Sequence, residues 1–259
     1  MKKNLIRRLH CPSDIKVNLS INLSKEQSHY IANVLRLNIN DKVLLFNDKD
    51  GEFNCTITGN SKKNVTCTPT SLERNIYLEP NVRLVFAPIK NGKIENIVQK
   101  ATELGVTNIQ PVITERTIVN KVNNSKLEAI AIEAAEQCER ITLPKIQAID
   151  KLSNIINELN KNDVLFFCDE TGNGADIASV FSEYKDKQDT KFSILVGPEG
   201  GFTEKEIDIL INNDFTVPIS MGPRILRADT AITSALSCFS SIIGDWKIKG
   251  PDFRYNKNI

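Results

Sequence analysis

The sequence predicts an α/β protein: a small β-rich amino-terminal unit followed by a parallel α/β domain. Two patterns and one asymmetry of charge point that way. Up to about residue 72, short strand-like runs are cut by Asp, Asn and Gly, and one segment alone has helical spacing. From about residue 75, apolar runs alternate with helical segments, as in a parallel sheet flanked by helices. Residues 1–72 hold 11 Lys and Arg against 6 Asp and Glu, a net of +5, whereas the remainder holds 22 against 26, a net of −4.

In the first unit, VNLSINLS and DKVLLFNDKDGEFNCTITGNSKKNVTCTPT supply the strands. Asp50-Gly51 reads as a hairpin turn and Lys62-Lys63 as a basic turn. Between the two runs, SKEQSHYIANVLRL has helical spacing, with Ser24 as N-cap and Gln27 three residues on. So few residues cannot build a parallel α/β sheet. A basic unit of this kind suggests a polyanionic partner, because Lys and Arg neutralise phosphates and release counterions.

In the second region VRLVFAPI is a strand, and NGKIENIVQKATELGV a helix with Gly105 near its C-cap. NIQPVIT is a strand and SKLEAIAIEAAEQCER a long helix. DVLFFCDE is a strand that runs into Thr-Gly-Asn-Gly. FSILVGPEGG and TVPISMGPRILR are strands with loops, followed by the helices TEKEIDILINND and ADTAITSALSCFSSII. The tail GPDFRYNKNI reads as frayed.

Bulk composition excludes several classes. The chain has 259 residues, 41% hydrophobic and 25% charged, as in ordinary globular proteins. The longest apolar run of the carboxyl half, Val164 to Cys168, is far short of the roughly 20 residues a membrane span needs. MKKNLIRRLHCPSD lacks the apolar stretch of a signal peptide. Six cysteines in no CxxC pair and two histidines argue against a metal site or a disulfide framework, and for reduced thiols in a cytoplasmic protein.

Three strands end in small-residue loops: CDETGNG (168–174), VGPEGG (196–201) and MGPRILRADT (221–230). In open α/β sheets, ligands bind at the carboxyl ends of strands. Gly lets backbone N–H groups approach a ligand, and Pro stiffens the loop. Thr203-Glu-Lys-Glu206 reads as a capping box, so a helix starts directly after the glycines and its N-terminus suits an anion. Neither a P-loop nor a G-x-G-x-x-G fingerprint is present. Glu199 and Asp229 would repel a polyphosphate, so an adenosine moiety held by backbone groups fits better. A dinucleotide-dependent oxidoreductase is disfavoured because the Gly fingerprint is missing.

GPEGGFTEKE followed by MGPRILRADTA closely resembles the carboxyl-terminal signature of the RsmE family of SPOUT-class methyltransferases. HYIANVLR, QKATELGV, ERTIV and EAAEQCER resemble its upstream blocks, in the family's order over nearly the whole chain. The resemblance implies a PUA-like β-barrel over 1–72, a SPOUT α/β trefoil-knot domain over 73–247 and a tail over 248–259. It implies S-adenosylmethionine as methyl donor, N3 of a uridine in 16S rRNA of the small ribosomal subunit as target, and a homodimer with its active site at the subunit interface. Three positions depart from the family's pattern: Asp229 replaces Glu, Asn33 replaces Arg and Met221 replaces Leu.

N3 of uracil carries a proton and is a poor nucleophile until that proton leaves. A guanidinium beside O2 or O4 favours the anion. Arg227 is the expected catalytic group and Arg224 the second choice. For the cofactor the expected residues are Leu195, Gly197, Glu199, Gly200 and Gly201, with Met221, Gly222, Ile225, Leu226, Thr230 and Ala231. For RNA they are Arg36, Arg116 and Arg140, with charge added by Arg7 and Arg8. Glu136 and Gln137 are expected to face a dimer partner, and Cys138 and Cys168 to pack as small residues. The competing readings are a different SPOUT methylation, such as ribose 2′-O transfer, and a non-catalytic ribosome-assembly factor.

Overall fold

The computed structural model describes residues 7–61, 64–77, 79–89, 93–187 and 190–248. The basic turn expected at Lys62-Lys63, the start of the helix expected from Asn91, the first six residues and the tail beyond Ile248 lie outside the described residues. The chain divides into two compact units, Met1–Leu78 with Ala131–Leu143, and Glu79–Ile130 with Pro144–Ile259.

The first unit contains β1 (Arg7–His10), β2 (Ile21–Asn22), α1 (Lys25–His29), β3 (Lys42–Asn47), β4 (Gly51–Ser61) and β5 (Asn64–Arg74). They form a mixed five-stranded sheet of order β1-β3-β4-β5-β2, in which only the β1–β3 pair is parallel. Alternate residues of β3, β4 and β5 enter one core, with Val43, Leu45, Cys55, Ile57, Val65 and Cys67 fully buried. Ile31 closes that core from the helical segment.

The expected hairpin is present. Gly51 has φ +99°, and a Cβ there would meet the Arg74 carbonyl oxygen at 2.6 Å, so glycine is required twice over. The Asp50 carboxylate accepts from the amide of Ile15 at 2.9 Å and ties the preceding loop to the turn. At α1 the capping box forms as expected: Ser24 Oγ accepts from Gln27 N and the Gln27 side chain accepts from Ser24 N. The single helix expected beyond it does not persist as α. Residues Tyr30–Val34 form a π-helical turn, with the Leu35 amide bonded to the Tyr30 carbonyl, and the chain reverses at Arg36 with φ +57°.

The second unit begins with β6 (Val82–Phe86), α2 (Lys93–Glu103) and β7 (Asn108–Ile113). Helix α3 (Asn124–Cys138) follows, and its last turns belong to the first unit. Then come β8 (Lys145–Ile146), β9 (Asp150–Lys151), α4 (Leu152–Asn157), β10 (Asp163–Cys168), β11 (Ala175–Asp176), α5 (Ile177–Tyr184), β12 (Lys191–Val196), α6 (Glu204–Ile211), β13 (Thr216–Ser220) and α7 (Ala228–Ile242). The sheet is parallel throughout, in the order β11-β13-β10-β12-β6-β7-β8, with β9 on β7.

Both faces of this sheet are covered, which is why its strands read as unbroken apolar runs. Phe166 and Phe192 stack on one face at 5.9 Å, and Phe181 of α5 and Phe239 of α7 pack edge-on against them. Leu165, Phe167 and Leu195 point to the other face, under Ile155 of α4 and Leu210 of α6. Helices α4 and α5 are not among those the spacing predicts. Helix α4 has no side-chain cap to announce it. Helix α5 is announced by Asp176, whose carboxylate accepts from the Ser179 amide at 2.8 Å. Among the described residues no helix is long and apolar enough to cross a membrane.

Candidate active site

Strands β13, β10 and β12 are neighbours, and their carboxyl ends feed the three small-residue loops. Together these loops enclose a cavity of about 530 Å³, within the range of small-molecule sites. Of the residues expected to hold a cofactor, Gly197, Glu199, Gly201, Met221, Gly222, Ile225, Leu226 and Ala231 line it, as do Arg224 and Arg227. Leu195, Gly200 and Thr230 lie outside its wall. Leu195 is fully buried in the core between sheet and helices. Gly200 lies against the Arg116 side chain, and Thr230 is exposed on the first turn of α7.

The glycines of the second loop make the space. Gly201 sits at φ +69° with its amide donating to the Pro198 carbonyl at 2.9 Å. A Cβ at Gly201 would overlap the Glu170 carboxylate, and one at Gly197 would meet the Phe202 ring at 2.9 Å. The loop is held from outside by Arg116, whose Nη1 donates to the carbonyl oxygens of Gly200 at 2.8 Å and Phe202 at 3.3 Å.

The capping box at the head of α6 forms as expected. Thr203 Oγ1 accepts from Glu206 N, and Glu206 Oε2 accepts from Thr203 N at 2.9 Å. Glu206 does more than cap. Its Oε1 accepts from the Glu115 amide at 2.9 Å and joins the 114–117 loop to the glycine loop. The helix N-terminus read as an anion site is therefore already occupied by the protein's own carboxylate.

The first loop, 168–174, contributes Cys168, Asp169, Glu170 and Gly172 to the wall, of which the sequence singles out Cys168 alone, as a packing residue. Asp169 organises it, accepting from Thr171 N at 2.9 Å, Thr171 Oγ1 at 2.8 Å and Asn173 N at 3.1 Å. The D-x-T-x-N spacing is the signal that announces such a turn. Burial pushes the Cys168 thiol up to about 12, so it stays protonated near neutrality, in keeping with a packing residue rather than a nucleophile.

In the third loop Ile225 is 93% exposed, and Arg224 and Arg227 present free guanidinium groups, with no hydrogen bond or ion pair to either among the described residues. Arg227 sits at the N-cap position of α7, where its carbonyl accepts the first helical bond from Ala231. Asp229, one step into the helix, has a buried Oδ1 without a donor among the described residues.

The structure separates the five arginines expected at RNA. Arg36 and Arg7 are exposed. Arg116 is exposed but engaged at the glycine loop. Arg8 and Arg140 are each 8% exposed and offer no open guanidinium face to a phosphate, which corrects the expectation for those two. Arg8 pairs with the fully buried Glu52, stacks on Phe46 at 4.1 Å and donates to the carbonyls of Ala135 at 2.7 Å and Arg140 at 3.0 Å. Arg74 joins the same carboxylate at 2.6 Å. Glu136, expected at a dimer contact, accepts from the His10 amide within the chain at 2.9 Å.

A family model described as an RNA methyltransferase domain matches residues 78–240, and one for an RNA methyltransferase PUA domain matches 23–70. Ribosomal RNA small subunit methyltransferase E of Rickettsia conorii is 34% identical over 89% of this chain and 93% of its own. The chain belongs to the small subunit methyltransferase E family. The Bacillus subtilis member is 30% identical over 85% of this chain and 90% of its own. The crystal structure of the Neisseria gonorrhoeae member, bound to S-adenosyl methionine, superposes with a TM-score of 0.84 at 25% identity, covering 93% of this chain and all of that one. A Legionella pneumophila methyltransferase, in complex with bound SAM, gives 0.80 at 29% identity over 93% of this chain and 99% of its own. Family membership makes the amino-terminal unit PUA-like and the carboxyl-terminal one a SPOUT methyltransferase fold, as the sequence motifs implied.

Proposed function

We propose that the chain binds S-adenosylmethionine in the three-loop cavity and transfers its methyl group to N3 of a uridine in 16S rRNA. The observation that carries this reading is the cavity itself. Three loops from adjacent parallel strands meet around a space of about 530 Å³, with Gly197 and Gly201 in its wall, where a Cβ would collide with Phe202 or Glu170. The donor's sulfonium supplies an already activated methyl group, so the protein's own share is to hold, orient and stabilise charge.

Leu226, Met221 and Ala231 offer apolar walls for an adenine, and the glycine loop offers backbone groups to its polar edge. Arg227, which lines the cavity unpaired, stabilises in this reading a uracil anion at O2 or O4 as the N3 proton leaves, with Arg224 as the neighbouring cation. Alignment of N3 with the methyl carbon and sulfur supplies several kcal/mol more. Arg7 and Arg36 serve the RNA backbone from the basic unit, residues 1–72, while residues 73–247 carry the chemistry. The same reading makes the protein a cytoplasmic homodimer that completes its site between subunits, with a trefoil knot in the carboxyl-terminal domain.

Arg227→Ala is the test. It keeps the fold and S-adenosylmethionine affinity while turnover falls about 100-fold or more, the usual cost of removing a charge-stabilising donor. Near-normal turnover overturns the assignment.

A further inference from the structure

Two adjacent carboxylates of the first loop have different fates. Asp169 is consumed by its own loop, accepting three hydrogen bonds there. Glu170 is exposed on the cavity wall, and its carboxylate has no hydrogen bond or ion pair among the described residues. It stands where a side chain at Gly201 would be, so the absence of a side chain there is what admits the charge to the wall of the glycine loop. Glu199, the other acid of the wall, has an interaction of its own. Glu170 is thus the one carboxylate of this wall left for a ligand to neutralise.

We propose that Glu170 is a specificity-determining residue that selects the cationic methyl donor over its neutral product. This rests on the cavity being the S-adenosylmethionine site. The donor and S-adenosylhomocysteine share the adenosine, the α-amine and the α-carboxylate. They differ in one methyl group and one positive charge. In the transfer a bond forms between the methyl carbon and the deprotonated N3, and the C–S bonding pair stays on sulfur. The negative charge of the uracil anion and the positive charge of the sulfonium disappear together, the N3 proton having passed to solvent water beforehand. A carboxylate with no other partner is attracted to the sulfonium and loses that attraction once the thioether forms, which favours exchange of product for fresh donor.

The experiment is calorimetric titration of the full-length wild-type protein and Glu170→Gln with S-adenosylmethionine and with S-adenosylhomocysteine, at low and at physiological salt. Because the carboxylate is exposed, the expected effect is modest. Donor affinity falls about fivefold in Glu170→Gln at low salt, as for a solvent-screened ion pair, and product affinity stays within about twofold. The difference shrinks as salt rises. Gln keeps the size of the side chain, and loss of an unpartnered surface charge leaves the thermal midpoint unchanged. Equal weakening of both ligands, as for a carboxylate that grips the shared ribose or amine, overturns the proposal, and so does unchanged affinity for both. If the wild type binds neither ligand, the reading of the cavity falls as well.

Discussion

Gly201 and Gly200 are neighbours in one loop with opposite expectations, and replacing each by alanine isolates what the cavity requires. Gly201 has φ +69°, a left-handed conformation that costs an L-residue about 1–2 kcal/mol. Its new Cβ would also overlap the Glu170 carboxylate. That carboxylate ends a flexible, exposed chain, so it moves cheaply, but the space it sweeps is the cavity. Gly201→Ala is therefore expected to lower the unfolding midpoint by about 5 °C, the shift that 1–2 kcal/mol produces in a unit of this size. It is expected to weaken S-adenosylmethionine binding at least about tenfold. At Gly200 a Cβ meets only the Arg116 Cβ and Cδ, both at 3.6 Å, an ordinary contact. Gly200→Ala should bind the donor within about twofold of wild type, with a midpoint unchanged or slightly raised by the stiffer unfolded chain. Calorimetric titration and thermal unfolding of the two variants side by side read both quantities. Equal losses from the two substitutions, or full affinity in Gly201→Ala, would refute the reasoning.

Two further expectations concern stability. Glu52→Ala leaves Arg8 and Arg74 facing each other without their carboxylate, and the Arg8 side chain, 4% exposed, has no route to water. The expected loss is about 3–5 kcal/mol in denaturant unfolding of the first unit, and a loss under about 1 kcal/mol contradicts the buried-pair account. Thr203→Ala removes the cap of α6 and should cost about 1 kcal/mol. An unchanged denaturation midpoint in that variant means the cap contributes nothing.

What was legible in the sequence is what is local. Both capping boxes span four residues, Ser24 to Gln27 and Thr203 to Glu206, and both formed as read. The Asp50-Gly51 turn and the alternation of the second unit are local in the same sense. The resemblance then supplied the fold names, which no periodicity contains. The misreadings at the site and in the buried ion pair are long-range. Arg8 looks like a surface cation until Glu52, 44 residues on, is placed beside it. Glu206 reads as a cap, but its second oxygen bonds the amide of Glu115, 91 residues earlier. Glu170 carries no motif, and its place on the cavity wall follows from the packing of the first loop against Gly201. The π turn at Tyr30–Val34 has the same apolar spacing as an α-helix and differs only in which carbonyl each amide reaches.

The central claim is tested most directly by methyl transfer from labelled S-adenosylmethionine to 16S rRNA, naked and in small subunits, from a strain lacking this protein, followed by mass spectrometry of the nucleosides. The account predicts label in 3-methyluridine, formed about 100-fold or more slowly with Arg227→Ala under the same conditions. Label in a 2′-O-methyl nucleoside, or no label in either substrate while the donor still binds, contradicts it.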